Sequence, residues 1–120
     1  MEMENKCGDI LYIDDLLDAY FMVAMNIKNT RGQIYNIGGG VKNAIPIWSE
    51  LKPILEERFK KKITVSKAFT RPGDQAIFVS DIRKKKDFGW EPKVGVKNGI
   101  ERLYEWIQEN KNLFQRIFAS

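Results

Sequence analysis

The residues best suited to chemistry lie in one short loop, Thr70-Arg71-Pro72-Gly73-Asp74-Gln75. Proline at 72 presets one backbone angle and Gly73 permits a positive one, so the pair makes a tight turn. The turn carries Arg71 and Asp74 to the same side of the loop. A guanidinium offers a planar fork that matches phosphate oxygens. A carboxylate accepts hydrogen bonds from a pair of sugar hydroxyls. Arg71 and Asp74 therefore suit a nucleotide clamp. The competing reading is an Arg71–Asp74 ion pair that only shapes the bend. Taken alone, the residues favour that second reading, because exposed ion pairs are common and contribute little.

A second candidate is Asn36-Ile37-Gly38-Gly39-Gly40. A strand that feeds a Gly-rich turn and then a helix resembles a phosphate cradle. Neither the G-x-G-x-x-G spacing nor the Gly-Lys-Ser/Thr of a P-loop is present, so the spacing alone favours a plain connection. Asp14 and Asp15 are adjacent and diverge on a helix, which suits helix capping rather than a two-carboxylate site. Trp48, Trp90 and Trp106 read as packing residues. Cys7, the one cysteine, has no activating neighbour in sequence and reads as an inert thiol. The chain contains no histidine, which removes His-based acid–base catalysis, the Ser-His-Asp triad and the common His-rich zinc sites. No metal site is expected.

The elements that must position these loops alternate between strand and helix. Ile10-Leu11-Tyr12 is β-prone, and a helix is expected from Asp14 or Asp15, with Leu16, Ala19, Tyr20, Val23, Ala24 and Ile27 on one face. Gln33–Ile37 reads as a strand, and Pro46 as an early residue of the next helix. Pro53 predicts a kink, or a regular helix that begins there. Ile63–Ala68 alternates like a half-buried strand, and Ala76–Val79 is a short extended run. A short helix capped by Ser80 or Asp81 stops at Gly89. The last clear helix runs over Val96–Ile107. The order β-α-β-α-β-loop-α-α is an α/β pattern with few strands, flanking helices and an incomplete parallel sheet.

Bulk properties agree with one globular domain of 120 residues, 43% hydrophobic and 30% charged. Twenty Lys and Arg against 16 Asp and Glu give a net charge of +4, too small to argue for nucleic acid. The polar, acidic start is no signal peptide, and no apolar stretch reaches the length of a membrane span, so a cytoplasmic location is expected.

Four segments, in order, resemble the extended short-chain dehydrogenases/reductases. Gly8-Asp9-Ile10-Leu11-Tyr12-Ile13-Asp14-Asp15-Leu16 is similar to their R-D-x-x-x-V-D-D-L, and Tyr35-Asn36-Ile37-Gly38-Gly39-Gly40 to their Y-N-I-G-G-G. Arg71-Pro72-Gly73-Asp74-Gln75 with Val79-Ser80-Asp81-Ile82 is similar to R-P-G-D-Q and V-S-D-I. Phe88-Gly89-Trp90-Glu91-Pro92-Lys93-Val94 is similar to L-G-W-x-P-x-V. The resemblance is strongest to the CDP-paratose/CDP-tyvelose 2-epimerase branch of the NAD-dependent nucleotide-sugar epimerases and dehydratases. It implies a partial Rossmann-like fold: residues 8–120 form the C-terminal, substrate-binding region, and residues 1–7 do not match, as at a truncated or rearranged gene boundary. It further implies that Arg71 meets the diphosphate and Asp74 the ribose, with Gln75 beside them. Asn36 and Gly38 would lie near the cofactor cleft. Asp14 and Asp15 would hold the first helix.

Two departures limit that reading. The family's G-x-x-G-x-x-G loop and its Ser…Tyr-x-x-x-Lys set are absent. The residues four beyond Tyr12, Tyr20, Tyr35 and Tyr104 are Leu16, Ala24, Gly39 and Gln108, none of them lysine. No catalytic residue is therefore expected, and no cofactor bound by this chain alone, although the intact family enzymes use NAD for oxidation at the sugar and return of hydride. Gly8 stands where relatives carry an Arg that grips phosphate. The expected partner is a nucleoside-diphosphate sugar. The alternative is an assembly module that pairs with a separate Rossmann-type subunit or with itself, through an open edge at Gln33–Ile37.

Overall fold

The computed structural model describes residues 5–119. Met1 to Glu4, where the non-matching polar start was read, and Ser120 lie outside the described residues. The architecture is mixed α/β with a small open sheet. Strand β1 (Cys7–Asp9) lies between β2 (Ala44–Pro46) and β3 (Ile77–Phe78). It pairs antiparallel with β2, setting Gly8 opposite Ile45, and parallel with β3, setting Gly8 beside Phe78. The sheet is thus mixed rather than wholly parallel.

Helix α1 (Ile13–Met25) follows β1 after three extended residues and leads across Asn26 into the single turn α2 (Ile27–Thr30). Tyr12, not an aspartate, is the residue before the helix, and no side chain caps it. Pro46 ends β2 instead of opening a helix, and a wide turn over Ile47–Leu51 leads into α3 (Lys52–Phe59). The regular helix therefore begins beside Pro53, whose missing N–H is tolerated in a first turn. A tight 3-10 turn, Arg83–Asp87, stands where a short helix was expected, and it stops at Gly89 with φ +73°. Helices α4 (Val96–Glu109) and α5 (Lys111–Phe118) complete the chain, divided at Asn110.

The core is small. Ala19 of α1 packs with Phe88 and Trp90, and Leu11, Met22, Val23, Tyr35, Ile37 and Ile82 close around them. The Tyr35 ring meets Phe88 edge-on at 5.0 Å between centroids. Burying an apolar side chain of this size contributes about 1.5–3 kcal/mol. Trp90 is 1% exposed and its indole N–H donates to the Asp15 carbonyl at 2.9 Å, so the ring is buried without an orphan donor. Trp106, by contrast, is half exposed and rests edge-on against Phe114.

Three expected strands do not form. Ile10–Tyr12, Gln33–Ile37 and Ile63–Ala68 all lie outside the sheet, whose first strand ends at Asp9. Alternation makes a segment suited to a pleated surface, but a strand exists only where a neighbour supplies ladder partners. Ile37 and Tyr35 use their apolar sides on the core, while Ile34 is 83% exposed. The edge strands of the sheet are accordingly β2 and β3, not Gln33–Ile37.

Candidate functional site

The Arg71–Gln75 loop forms the expected turn. Gly73 has φ +79°, and the Asp74 N–H donates to the Arg71 carbonyl at 3.1 Å. Arg71, Asp74 and Gln75 are all exposed. Asp74 pairs with Lys6 rather than with Arg71. The Lys6 hydrogen bond and charge, with a smaller contribution from the Arg71 guanidinium, hold the Asp74 carboxyl below its usual value. The ion-pair reading of the turn is thus replaced by a different pairing. Lys6 escapes a reading by sequence because its link to Asp74 exists only through the parallel β1–β3 register, in which the Cys7 N–H also donates to the Ala76 carbonyl at 2.9 Å.

The glycine run lies at the other end of β1, against Asp9, Ile10 and Ser80. Its chemistry is close packing. An added Cβ at Gly38 would overlap the Ser80 hydroxyl, and one at Gly39 would overlap the Ile10 carbonyl. Gly40 has φ +70° and sits against Ile82. The Gly40 N–H, which a phosphate cradle would need, donates instead to Asp9 Oδ2 at 2.9 Å. Asn36 is exposed, and Gly38 is buried. Gly38 sits against Ser80 and Asp9, on the scaffold of β1 and β3 that at its other end carries the Arg71–Gln75 loop.

Asp9 is the knot of that scaffold. Its Oδ2 accepts from the Gly40 N–H and from the Ser80 N–H at 3.2 Å. Burial pushes its carboxyl up, but the bonds from the Gly40 amide and from the Ser80 hydroxyl and amide outweigh burial and hold it below the usual value. Asp15 makes a second knot. It is 2% exposed, and its two carboxylate oxygens accept the Lys93 and Val94 N–H groups at 3.0 and 2.9 Å. Asp15 therefore clamps a distant loop instead of capping its own helix, while Asp14 is exposed. A buried carboxylate satisfied by two backbone donors is a structural device.

Among the described residues, no group of three or more His, Cys, Asp or Glu side chains is placed to hold a metal ion. No helix there is long and apolar enough to cross a membrane.

No protein-family model matches the chain. Curated relatives do. CDP-paratose 2-epimerase of Salmonella typhi is 33% identical over 85% of this chain and 30% of the relative. UDP-glucuronate 4-epimerase of Thermodesulfobacterium geofontis is 33% identical over 94% of this chain and 34% of the relative. The same identity and share of this chain relate it to dTDP-glucose 4,6-dehydratase of Escherichia coli, over 33% of that protein. These relatives are nucleotide-sugar epimerases and dehydratases by name, which is consistent with the chain being a C-terminal fragment of the extended short-chain dehydrogenase/reductase family. It spans about a third of the length of the curated relatives it matches. The four family segments meet in the structure: Asp9 joins the first to the glycine run and to Ser80, and Asp15 joins it to Trp90, Lys93 and Val94.

Proposed function

We propose that this chain supplies a nucleotide-sugar-binding surface of an epimerase or dehydratase of its family, and that it is inactive alone. The carrying observation is the exposed turn at Pro72-Gly73, which presents Arg71, Asp74 and Gln75 together on a loop anchored to β1. Arg71 takes the diphosphate in bidentate fashion, and Asp74 accepts the ribose hydroxyls after exchanging Lys6 for them. The relatives act on CDP-, UDP- and dTDP-linked sugars by name, which supports a nucleoside-diphosphate sugar as the ligand class. The tyrosines without a lysine four residues on support an absent hydride step. In this reading NAD, with Asn36 and Gly38 near it, belongs to the assembled cytoplasmic enzyme and not to this chain alone.

Isothermal titration against CDP, UDP-glucose and dTDP-glucose, with and without NAD, tests the reading. Arg71→Ala weakens binding about 10- to 100-fold, as expected for losing a charge-assisted bond of about 1.5–3 kcal/mol. A Cβ at Gly8 meets only the Phe78 carbonyl, at an ordinary 3.9 Å, so the backbone admits a side chain there, and Gly8→Arg is expected to strengthen binding. Heat of binding that is absent for all three ligands at millimolar concentration sinks the proposal.

A second reading, an assembly module for a separate Rossmann-type subunit, draws on β3. This strand is an open edge whose Ile77 and Phe78 are 70% and 59% exposed. An unpaired apolar edge is a template for another strand. Co-expression with a neighbouring frame that encodes G-x-x-G-x-x-G and Tyr-x-x-x-Lys tests it, and failure to co-purify counts against it.

A further inference from the structure

Lys6 is held at the Arg71–Gln75 loop by its backbone. It lies one residue before β1, and the ladder continues through it. Its carbonyl accepts the Ile47 N–H at 2.8 Å, and the next N–H, that of Cys7, donates to the Ala76 carbonyl at 2.9 Å. Before it, the Asn5 side chain accepts the Trp48 and Ser49 N–H groups. The root of Lys6 is therefore pinned beside the end of the loop, while its tip is not. The Lys6 and Asp74 side chains that form the ion pair are 34% and 42% exposed. An exposed pair of this kind contributes little and is broken at small cost.

Alternate residues of a strand share a face, so Lys6 projects on the side of β1 that Gly8 leaves bare. A Cβ built on Gly8 meets only the Phe78 carbonyl, so no side chain crowds that position. Charge makes a movement of the Lys6 tip useful. Lys6 and Arg71 both act on the Asp74 carboxylate, Lys6 more strongly. Among the described residues, Arg71 itself forms no ion pair. By holding Asp74, Lys6 keeps that carboxylate off Arg71, whose guanidinium stays open. A diphosphate that links a ribose to a sugar carries a negative charge on each phosphate. Arg71 alone answers one of them, and Asp74 repels both. Such a ligand needs a second cation, and Lys6 is already at the loop.

We propose that Lys6 is the second cation of the diphosphate site and passes from Asp74 to the ligand on binding. In the free chain its ammonium rests on Asp74. When the ribose hydroxyls take the Asp74 carboxylate, the ammonium moves to a phosphate oxygen that Arg71 leaves open. The inference rests on the nucleotide-sugar reading and adds to it a residue from segment 1–7, which matches none of the family motifs. No resemblance therefore assigns Lys6 this role; its position against the loop does.

Titration calorimetry with CDP and with inorganic pyrophosphate, which offers phosphates without a ribose, tests it. Circular dichroism checks that each variant folds. Lys6→Ala weakens CDP binding about tenfold, and Lys6→Arg keeps it within about threefold of the original. Asp74→Asn removes both the ribose acceptor and the resting partner of Lys6. It therefore weakens CDP binding but tightens pyrophosphate binding by about three- to tenfold. That gain disappears in the double variant Lys6→Ala with Asp74→Asn, as a coupled pair requires. If Lys6 only anchors the loop, Lys6→Ala and Asp74→Asn break the same anchor and both weaken pyrophosphate binding, which overturns the proposal. Pyrophosphate binding unmoved by Asp74→Asn overturns it too, as does a gain that survives without Lys6. CDP binding that Arg71→Ala weakens and Lys6→Ala does not overturns this inference and leaves the nucleotide-sugar reading standing. An unaltered chain that binds neither CDP nor pyrophosphate at millimolar concentration also overturns it. The nucleotide-sugar reading falls with it only when UDP-glucose and dTDP-glucose fail as well.

Discussion

At the scale of residues, two aspartates tie together segments far apart in sequence. Asp15 is buried with both carboxylate oxygens filled by backbone N–H groups seventy-eight and seventy-nine residues away in sequence. Asp15→Ala leaves those donors without partners, and the variant loses about 3 kcal/mol in a urea unfolding experiment. Asp15→Asn fares little better, because its amide turns a donor toward a donor. The glycines separate in the same way. Gly39→Ala drives a methyl into the Ile10 carbonyl, which is backbone and cannot swing aside, whereas a Cβ at Gly95 meets nothing within 4 Å. Gly39→Ala costs about 3 kcal/mol and Gly95→Ala stays within about 0.5 kcal/mol, measured by the same unfolding midpoint.

At the scale of elements, β1 is the junction. Its three residues pair with β2 and β3, and Asp9 at its end ties the glycine run to Ser80. The Asp9 carboxyl is held below the ordinary 3.8. The unfolded chain therefore takes up this proton at a higher pH than the folded one. The stabilisation is fully present above about pH 4–5 and is lost as pH falls through the lowered value. Asp9→Asn removes that dependence, so its urea midpoint falls less steeply between about pH 5 and pH 2 than that of the unaltered chain. Equal slopes would show that Asp9 titrates alike in both states. How much of this was legible differs by element. The α1 helix itself was legible from its apolar spacing, but its inward face was not: Ala19 and Val23 turn to the core with Asp15 and Met22, while Tyr20, Ala24 and Ile27 are exposed. Gln33–Ile37 and Ile63–Ala68 read as strands because alternation reports what a segment suits, not whether a neighbour lies beside it.

At the scale of the whole molecule, the fold is drawn out. The radius of gyration is 17.4 Å, against about 13.6 Å for a compact chain of this length. The cause is visible in the exposure pattern: residues 59–78 are exposed without interruption, and α5 shows Ile117 and Phe118 to solvent. A long exposed segment is the preferred site of proteolytic nicking. Limited trypsin digestion therefore cuts first after Lys60, Lys61 or Lys62, and spares the bond after Arg71 because Pro72 follows it. Mass spectrometry of the first fragments checks this, and early cleavage within α1 would contradict it.

The sequence by itself determined the likeness to nucleotide-sugar epimerases and dehydratases, the α/β class and the Pro72-Gly73 turn, because each rests on local residue order. Proline and glycine fix a turn through their own backbone angles, and family segments are recognised in sequence order. Only the tertiary structure decided what the recognised residues do. Asp15 proved a clamp rather than a cap, Asp74 took Lys6 rather than Arg71, and Gly38 to Gly40 proved to be packing positions with the Gly40 amide already engaged. Those outcomes depend on which distant backbone amides and charges arrive beside each side chain. Strand register sets that arrangement, and no spacing along the chain encodes it.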